Sequence, residues 1–346
     1  AYRRCPHGIY MHPDFYKYKA VSDQLHAIWD AYATASQTIA LDEAYLDVTE
    51  TAKTWDGARQ IARTIKQRTW EELGLTCSVG LAYSKTAAKT ASEEKKPDGY
   101  FEILTPEDFV HLILDRDVQV LYTVGEKTAQ KLHAAGIRTV RDVRERQEDV
   151  IRLLGKQGQW ITRIAAVIDD RRVVPYRPED AKSIGRELTF QEDVSNVGLL
   201  KDVLFLLSLC VEHQAGKIGL FGKGVTLKLT YADMKSITRS HATEYCASAI
   251  QIYQESAALL DKVEQVPVRL IGVSIYNLSA EAWRQLSLQD ILEDTDAAEA
   301  EFTAGKLAAL GEKYHLDFAG HLEQLYHGVS LYRTAEYMRK HYPGRT

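Results

Sequence analysis

Between Tyr16 and Tyr32 the apolar positions Tyr18, Val21, Leu25, Ile28, Trp29 and Tyr32 recur at steps of three and four, which predicts one face of an amphipathic helix. Thr38 to Thr49 is rich in β-formers and is interrupted by Asp42-Glu43, so it reads as two strands joined by a tight acidic turn. A helix follows from Asp56 to Leu73, with Gly74 placed to stop it. Leu75, Cys77, Val79 and Leu81 alternate as a strand, Lys85 to Lys95 reads as a short helix, and Tyr100 to Leu104 as another strand. Strands linked by helices make this segment an α/β layer.

After Thr105-Pro106 the strand signals vanish, and short helices separated by Gly125, Gly136, Gly155 and Gly158 run to about Asp170. Arg171 to Lys182, with Pro175 and Pro178, has linker character. Beyond it come a helix at Val197–Gln214, a strand at Gly224–Tyr231, a helix at Ala247–Lys262 and a strand at Val268–Ile275, the pattern of a second α/β domain. The tail from Asp296 to Thr346 is mostly helical by pattern.

Composition narrows the classes. A chain of 346 residues, 45% hydrophobic, has material for two or three domains of ordinary size. The longest apolar run, Leu199 to Val211, is broken by Lys201, Asp202 and Ser208, so no membrane partner is expected. Cys5, Cys77, Cys210 and Cys246 form no CxxC pair, which argues against a zinc knuckle or a disulfide framework and favours reduced thiols in a cytoplasm. The net charge of -5 gives no global case for nucleic acid, so such a case must be local.

The local chemistry is concentrated in a few places. Asp42 and Glu43, at the predicted turn, offer the oxygen ligands that hard divalent cations require, although an acidic turn is also an ordinary solvated feature. Lys96 precedes Pro97, which biases it toward an extended conformation. Gly125 and Lys127 open a predicted helix, Glu126 to Ala135, whose free N–H groups would suit a phosphate. Lys217, Lys223, Lys228, Lys235 and Arg239 lie in or beside one β-rich segment against the single acid Asp233. The spacing around Lys223 fails the phosphate-loop pattern, so sequence-independent contact with the DNA backbone is the better expectation. His321 and His327 are six apart, which makes a shared zinc site a poor expectation. Trp29, Trp70 and Trp160 fall at helical positions where core packing is expected.

Ala40-Leu41-Asp42-Glu43-Ala44-Tyr45-Leu46-Asp47 resembles the second catalytic motif of the Y-family DNA polymerases of DinB type. Other segments are similar to that family in the same order: Cys5-Pro6-His7 and Tyr18–Ser22, then Cys77–Ala82, Lys89–Ser92 and Lys96–Gly99, then Val124–Leu132 and Lys182–Glu187. The resemblance implies an α+β multidomain fold: residues 1–36 closing the fingers and returning to the palm, 37–105 an incomplete palm, and 106–170 a helical thumb with a helix-hairpin-helix. It continues with a linker at 171–182, an α/β little finger at 183–280 and a C-terminal extension at 281–346.

The same resemblance implies a DNA-directed polymerase that bypasses lesions during DNA repair and the SOS response. Catalysis would be two-metal nucleotidyl transfer with two Mg²⁺ ions, with Asp42 and Glu43 as catalytic metal ligands and Asp47 as structural support. Lys96 would hold the triphosphate, and Gly125, Lys127, Lys223, Lys228, Lys235 and Arg239 would meet DNA. Primer-template DNA and a dNTP are the implied partners, a sliding clamp is a further candidate, and the tail shows no clear clamp-binding peptide. Ala40 replaces the family's usual serine, and Tyr122-Thr123 stands where a Pro-Gly usually precedes the thumb hairpin, which puts the tightness of that hairpin in question.

The chain starts at Ala1 without methionine, and the family's first aspartate motif does not occur in it, so an N-terminal truncation or a separate N-terminal polypeptide is expected and the chain alone is expected to be inactive. The rival reading is a non-catalytic DNA-binding or accessory protein on the same fold.

Overall fold

The computed structural model describes residues 4–11, 13–280 and 295–343. The chain divides into two compact units: Tyr16–Tyr176, and Arg177–Thr346 together with Ala1–Phe15.

In the first unit, helix α1 (Phe15–Asp30) buries Leu25, Ile28 and Trp29, the stripe that its periodicity announces. That stripe packs with Ile65 and the partly buried Ala44 and Leu46, tying α1 to a hairpin of β1 (Ala35–Ala40) and β2 (Glu43–Asp47) and to a long helix behind it. A one-turn helix, α2 (Thr49–Ala52), leads into that long helix, α3 (Trp55–Leu73), which starts on a Thr54 side-chain cap and ends on left-handed Gly74. Trp70 does not join the core: its place on α3 lies away from the buried Ala58, Ala62 and Ile65, and it is 61% exposed.

Strands β3 (Val79–Ala82) and β4 (Tyr100–Ile103) pair in parallel, which requires a crossover, supplied by α4 (Lys85–Glu94). The helix lies so close to β3 that a Cβ on Gly80 would stand 2.2 Å from the Ala88 carbonyl oxygen. Only glycine permits that approach.

Five helices follow: α5 (Pro106–Ile113), α6 (Glu126–Ala134), α7 (Val140–Glu145), α8 (Gln147–Leu154) and α9 (Lys156–Ala165). Capping boxes at Thr105/Asp108 and Thr139/Asp142 start α5 and α7. The composition shift at Thr105-Pro106 is not a break in packing, because one core joins Ala87, Ala91 and Ile103 to Phe109, Leu132, Val143 and Ile161 across it.

The first residues of the expected linker are tied down. Asp169, its side chain 2% exposed, accepts hydrogen bonds from the Thr86 amide (2.9 Å) and hydroxyl (2.6 Å) and pairs with Arg171 at 2.7 Å. The Arg171 guanidinium lies 4.4 Å from the Trp160 ring centroid and 5.5 Å from that of Tyr122. Lys85 donates to the Arg172 carbonyl, and the Val174 amide donates to Gln37.

The second unit is built on a four-stranded antiparallel sheet in the order β5-β8-β6-β7, from β5 (Ser183–Val194), β6 (Gly222–Tyr231), β7 (Ser236–Cys246) and β8 (Val268–Tyr276). Helices α10 (Val197–Lys217) and α11 (Ala249–Leu260) share its core with Leu188, Phe190, Leu227, Leu229, Ile271 and Val273. The sequence reading missed β5 and β7. β5 alternates buried Ile184, Leu188 and Phe190 with polar neighbours, a period-two signal that was there to be read, whereas the edge strand β7 is mostly polar.

The tail is part of this unit rather than an appendage. Helices α12 (Thr295–Tyr314), α13 (Leu322–Leu325) and α14 (Gly328–Lys340) bury Leu307, Leu310, Tyr314, Leu325, Leu331, Ala335 and Met338 in the same core. The Tyr314 hydroxyl donates to the buried Asp202 carboxylate at 2.7 Å, and Lys313 joins at 2.6 Å.

Candidate active site and nucleic-acid contacts

Ala40 faces Glu43 across the hairpin, so Leu41 and Asp42 form the two-residue tip. Asp42 is exposed and Glu43 half-buried. The tip is pinned from α1, where the buried Ser22 hydroxyl donates to the Leu41 carbonyl at 2.5 Å. Asp47, at the far end of β2, accepts from the Thr49 amide at 3.0 Å, a local turn contact. On β2 itself, the Tyr45 hydroxyl is pushed up to about 12, first by burial and then by neighbouring Tyr122.

Glu43 does not stand alone. Its carboxylate meets Lys89 Nζ at 2.8 Å, the same ammonium reaches Glu93 at 2.9 Å, and Glu93 in turn holds Lys96 Nζ at 2.8 Å. Burial by itself would lower the Lys89 ammonium, but its bonds to Glu43 and Glu93 raise it above the ordinary lysine value. Lys96 followed by Lys89 holds the Glu93 carboxyl below its usual range. Glu43 and Lys96 therefore belong to one constellation, to which the structure adds Lys89 and Glu93, while Asp42 stands exposed beside Glu43 at the turn. The Glu93 spacings to Lys89 and Lys96 were legible as helix-face neighbours, while the Glu43–Lys89 contact had no local signal.

The backbone around Lys96 is fixed by Lys66 on α3. Its ammonium donates to the carbonyls of Cys77 (2.5 Å) and Asp98 (3.0 Å) and pairs with the Asp98 carboxylate.

The donor chemistry at the tip is all oxygen, which suits Mg²⁺, an ion that takes one or two carboxylates and completes its shell with water and substrate phosphates. Among the described residues no group of three or more His, Cys, Asp or Glu is placed to hold a metal ion. His321 ends a short 3-10 turn and His327 caps α14, with α13 between them.

At the start of α6, Gly125 is the N-cap without any side-chain cap, and a Cβ there would meet nothing within 4 Å. Lys127 is exposed, with Glu126 beside it. The turn is tight despite the missing glycine, because Thr123 itself adopts φ +78°. A β-branched residue in this region is strained.

The basic cluster of the second unit is divided. Register places Lys228 in a row with Gly272 and Glu187 on the face opposite the core, and Lys228 pairs with Glu187 at 2.8 Å. A Cβ on Gly272 would stand 2.6 Å from the Glu187 side chain, so glycine keeps the path between them open. Lys235 pairs with Asp233 at 2.9 Å. Arg239 is opposite Leu227 and therefore on the other side of the sheet from Lys228, at its exposed edge. Lys223 is exposed where the β6–β7 register shifts. The expected excess of cations against one acid is smaller than it looked, since Glu187 arrives from another strand, and Lys228 and Arg239 do not share a face. That open face also carries hydroxyl pairs, Thr226–Ser240 and Thr230–Ser236, each at 2.8 Å.

Residues 1–93 match the impB/mucB/samB family, and residues 181–288 match the C-terminal domain of that family. The DNA polymerase IV of Listeria monocytogenes serotype 4b (strain CLIP80459) is 39% identical over 295 residues, covering 84% of this chain and 82% of its own. That of Halorhodospira halophila is 39% identical over 282 residues, covering 80% and 78%. Among solved structures, a Y-family DNA polymerase chimera superposes with TM-score 0.72 at 23% identity over 81% of each chain. An insertion ternary complex of Dbh DNA polymerase gives 0.55 at 22% over 81% of each. The fold is that of a Y-family polymerase, with mixed α and β content. By its relatives the chain belongs to the DinB (DNA polymerase IV) type of Y-family DNA-directed DNA polymerases.

Among the described residues, no helix is long and apolar enough to cross a membrane.

Proposed function

We propose that this chain serves template-directed DNA synthesis across damaged template, the work of a translesion polymerase. The observation that carries the reading is the row of charge that joins Glu43, next to the exposed Asp42, to Lys96 through Lys89 and Glu93. In this reading residues 37–105 act as palm, 106–170 as thumb, 183–280 as little finger, and the tail helices extend the last of these.

Asp42 and Glu43 would hold Mg²⁺, which when bound favours ionisation of a primer 3′-hydroxyl and neutralises triphosphate charge. The chain's own residues do the rest. Ser22 holds the Leu41 carbonyl and so fixes the turn that presents both carboxylates. Lys96 offers a compact positive charge to the triphosphate, half-exposed and on a backbone that Lys66 steadies. The uncapped N–H groups after Gly125, with Lys127 beside them, suit a DNA phosphate. Lys223, Lys228, Lys235 and Arg239 supply sequence-independent backbone attraction from the second unit.

Two carboxylates are a sparse set for two ions. We infer that the 346 residues alone hold metal weakly and extend primers poorly, and that an accessory DNA-binding role is the reading left if they do not extend at all. The test is primer extension with Mg²⁺ by the chain and by Asp42→Ala. Robust extension by the chain overturns the inference of weak activity, and any extension that survives Asp42→Ala sinks the metal role of Asp42.

A further inference from the structure

We propose that Lys89 is a positioning residue that shares Glu43 with the metal, so that cation binding at the hairpin tip releases Lys96 for the triphosphate. The inference rests on the metal-site reading above.

The geometry is a row of alternating charge. Lys89 Nζ sits between Glu43 Oε1 (2.8 Å) and Glu93 Oε1 (2.9 Å), and that same Glu93 oxygen accepts Lys96 (2.8 Å). Two carboxylates and two ammonium groups sum to zero, so the row is balanced without any metal. Lys89 is the least exposed of the four, at 28%, against 39% for Glu43, 47% for Glu93 and 50% for Lys96. It stands on α4, which is seated against β3 at Gly80 and capped by Ser84, so the helix offers a fixed post from which the ammonium chooses between two acids.

A divalent cation at Asp42–Glu43 and the Lys89 ammonium are like charges drawn to the same Glu43 oxygens. Lys89 therefore gives up Glu43 and keeps Glu93, which it already touches. Glu93, now serving Lys89 fully, holds Lys96 less, and the half-exposed Lys96 side chain turns to another anion. Lys66 anchors Asp98 and Cys77, so the backbone beside Lys96 stays in place while its side chain changes partner. The two events are coupled through Glu93, and such coupling is reciprocal.

The experiment uses nucleotide-free chain and Mn²⁺ followed by electron paramagnetic resonance, with melting curves as the control for folding. Lys89→Gln is expected to tighten Mn²⁺ binding by about threefold, the size of one partly exposed ion pair, and Lys89→Arg to restore the original affinity. Binding of inorganic tripolyphosphate in EDTA reads the other end of the row. Glu93→Gln is expected to tighten it by about threefold, and Glu93→Gln/Lys96→Gln to lose that gain. Mn²⁺ affinity that falls in Asp42→Asn but does not change in Lys89→Gln overturns the proposal and leaves the metal site standing. Mn²⁺ affinity indifferent to Asp42→Asn overturns the metal reading and this proposal with it. A tripolyphosphate gain that survives loss of Lys96 also overturns the proposal.

Discussion

A pair of cations from each unit shows two ways of holding a positive charge. In the first, Arg171 and Lys89 are fully engaged: one is stacked on Trp160 and paired with a carboxylate that is 2% exposed, the other is wedged between two acids. In the second, Lys228 and Lys235 meet Glu187 and Asp233 at a surface where both members of each pair are well exposed. Exposed pairs contribute little to stability and exchange readily, whereas a buried pair that loses one member leaves an uncompensated charge. The same residue types thus serve as fixed structural partners at some positions and as exposed, exchangeable charges at others.

The sharpest way to break this contrast is Asp169→Asn. It removes the anion facing Arg171 and weakens the hydrogen bonds that tie Thr86 to the end of the helical segment. We expect a loss of about 3 kcal/mol, read from chemical denaturation. A loss below about 1 kcal/mol would place Asp169 with the surface pairs instead.

The pH dependence follows from the same carboxylate. Burial would raise the Asp169 carboxyl, but hydrogen bonds from Arg171 and Thr86 outweigh it and hold the group well below the usual range. A carboxyl lowered on folding contributes its full stability above its unfolded value, near 4 for aspartate, and loses it as pH falls toward the lower folded value. Native protein should therefore destabilise in acid below about pH 4 more steeply than Asp169→Asn does.

Next in size is Asp202, where the second unit has a buried polar site of its own. Asp202→Ala leaves the Tyr314 hydroxyl and Lys313 without their acceptor where the tail helices join the core. About 2 kcal/mol of stability should be lost. If removing Asp202 costs nothing, the tail is held by its apolar contacts and by its other polar ones, such as Glu336 to the Gln191 amide and Arg339 to Glu192.

How much of this was legible in the sequence depends on distance along the chain. The α1 stripe, the acidic hairpin, the stop at Gly74 and the start of α6 are local patterns, and each was read within a few residues of where it lies. The family's motif order singled out Asp42, Glu43 and Lys96, and the structure links two of them, Glu43 and Lys96, through Lys89 and Glu93. What escaped was set by tertiary neighbours. Glu187 faces Lys228 only because β8 runs between their strands, so a window around Lys228 counted too few acids. Strand β7 was hidden by its polar edge, and Trp70 by a helical position that turned out to point at solvent. The turn ahead of α6 closes without a glycine, since Thr123 itself takes a positive φ of 78°.

The surface pairs give a smaller and opposite kind of effect. Glu187→Gln frees Lys228 on the open face, and duplex DNA should bind about twofold to threefold tighter, with a steeper dependence on salt. Lys228→Ala should weaken binding and reduce the salt slope by about 1. Arg239 lies on the other side of the sheet, so comparing Arg239→Ala with Lys228→Ala shows which face meets the backbone. Equal losses would mean that the edge, rather than the open face, carries the contact.

The smallest effect concerns Thr123. A threonine at φ +78° carries strain of about 1–2 kcal/mol, while glycine gives back part of that gain through the greater freedom of its unfolded chain. Thr123→Gly should therefore raise stability by about 0.5 kcal/mol. The turn feeds the uncapped N-terminus of α6, so the same variant asks whether the strain serves DNA contact at Gly125 and Lys127. Stabilisation with unchanged DNA affinity makes the strain a tolerated accident of the turn. Stabilisation with weaker binding would mean that the stiff threonine aims the helix start, and that this exposed part of the first unit is held in place no less firmly than its interior.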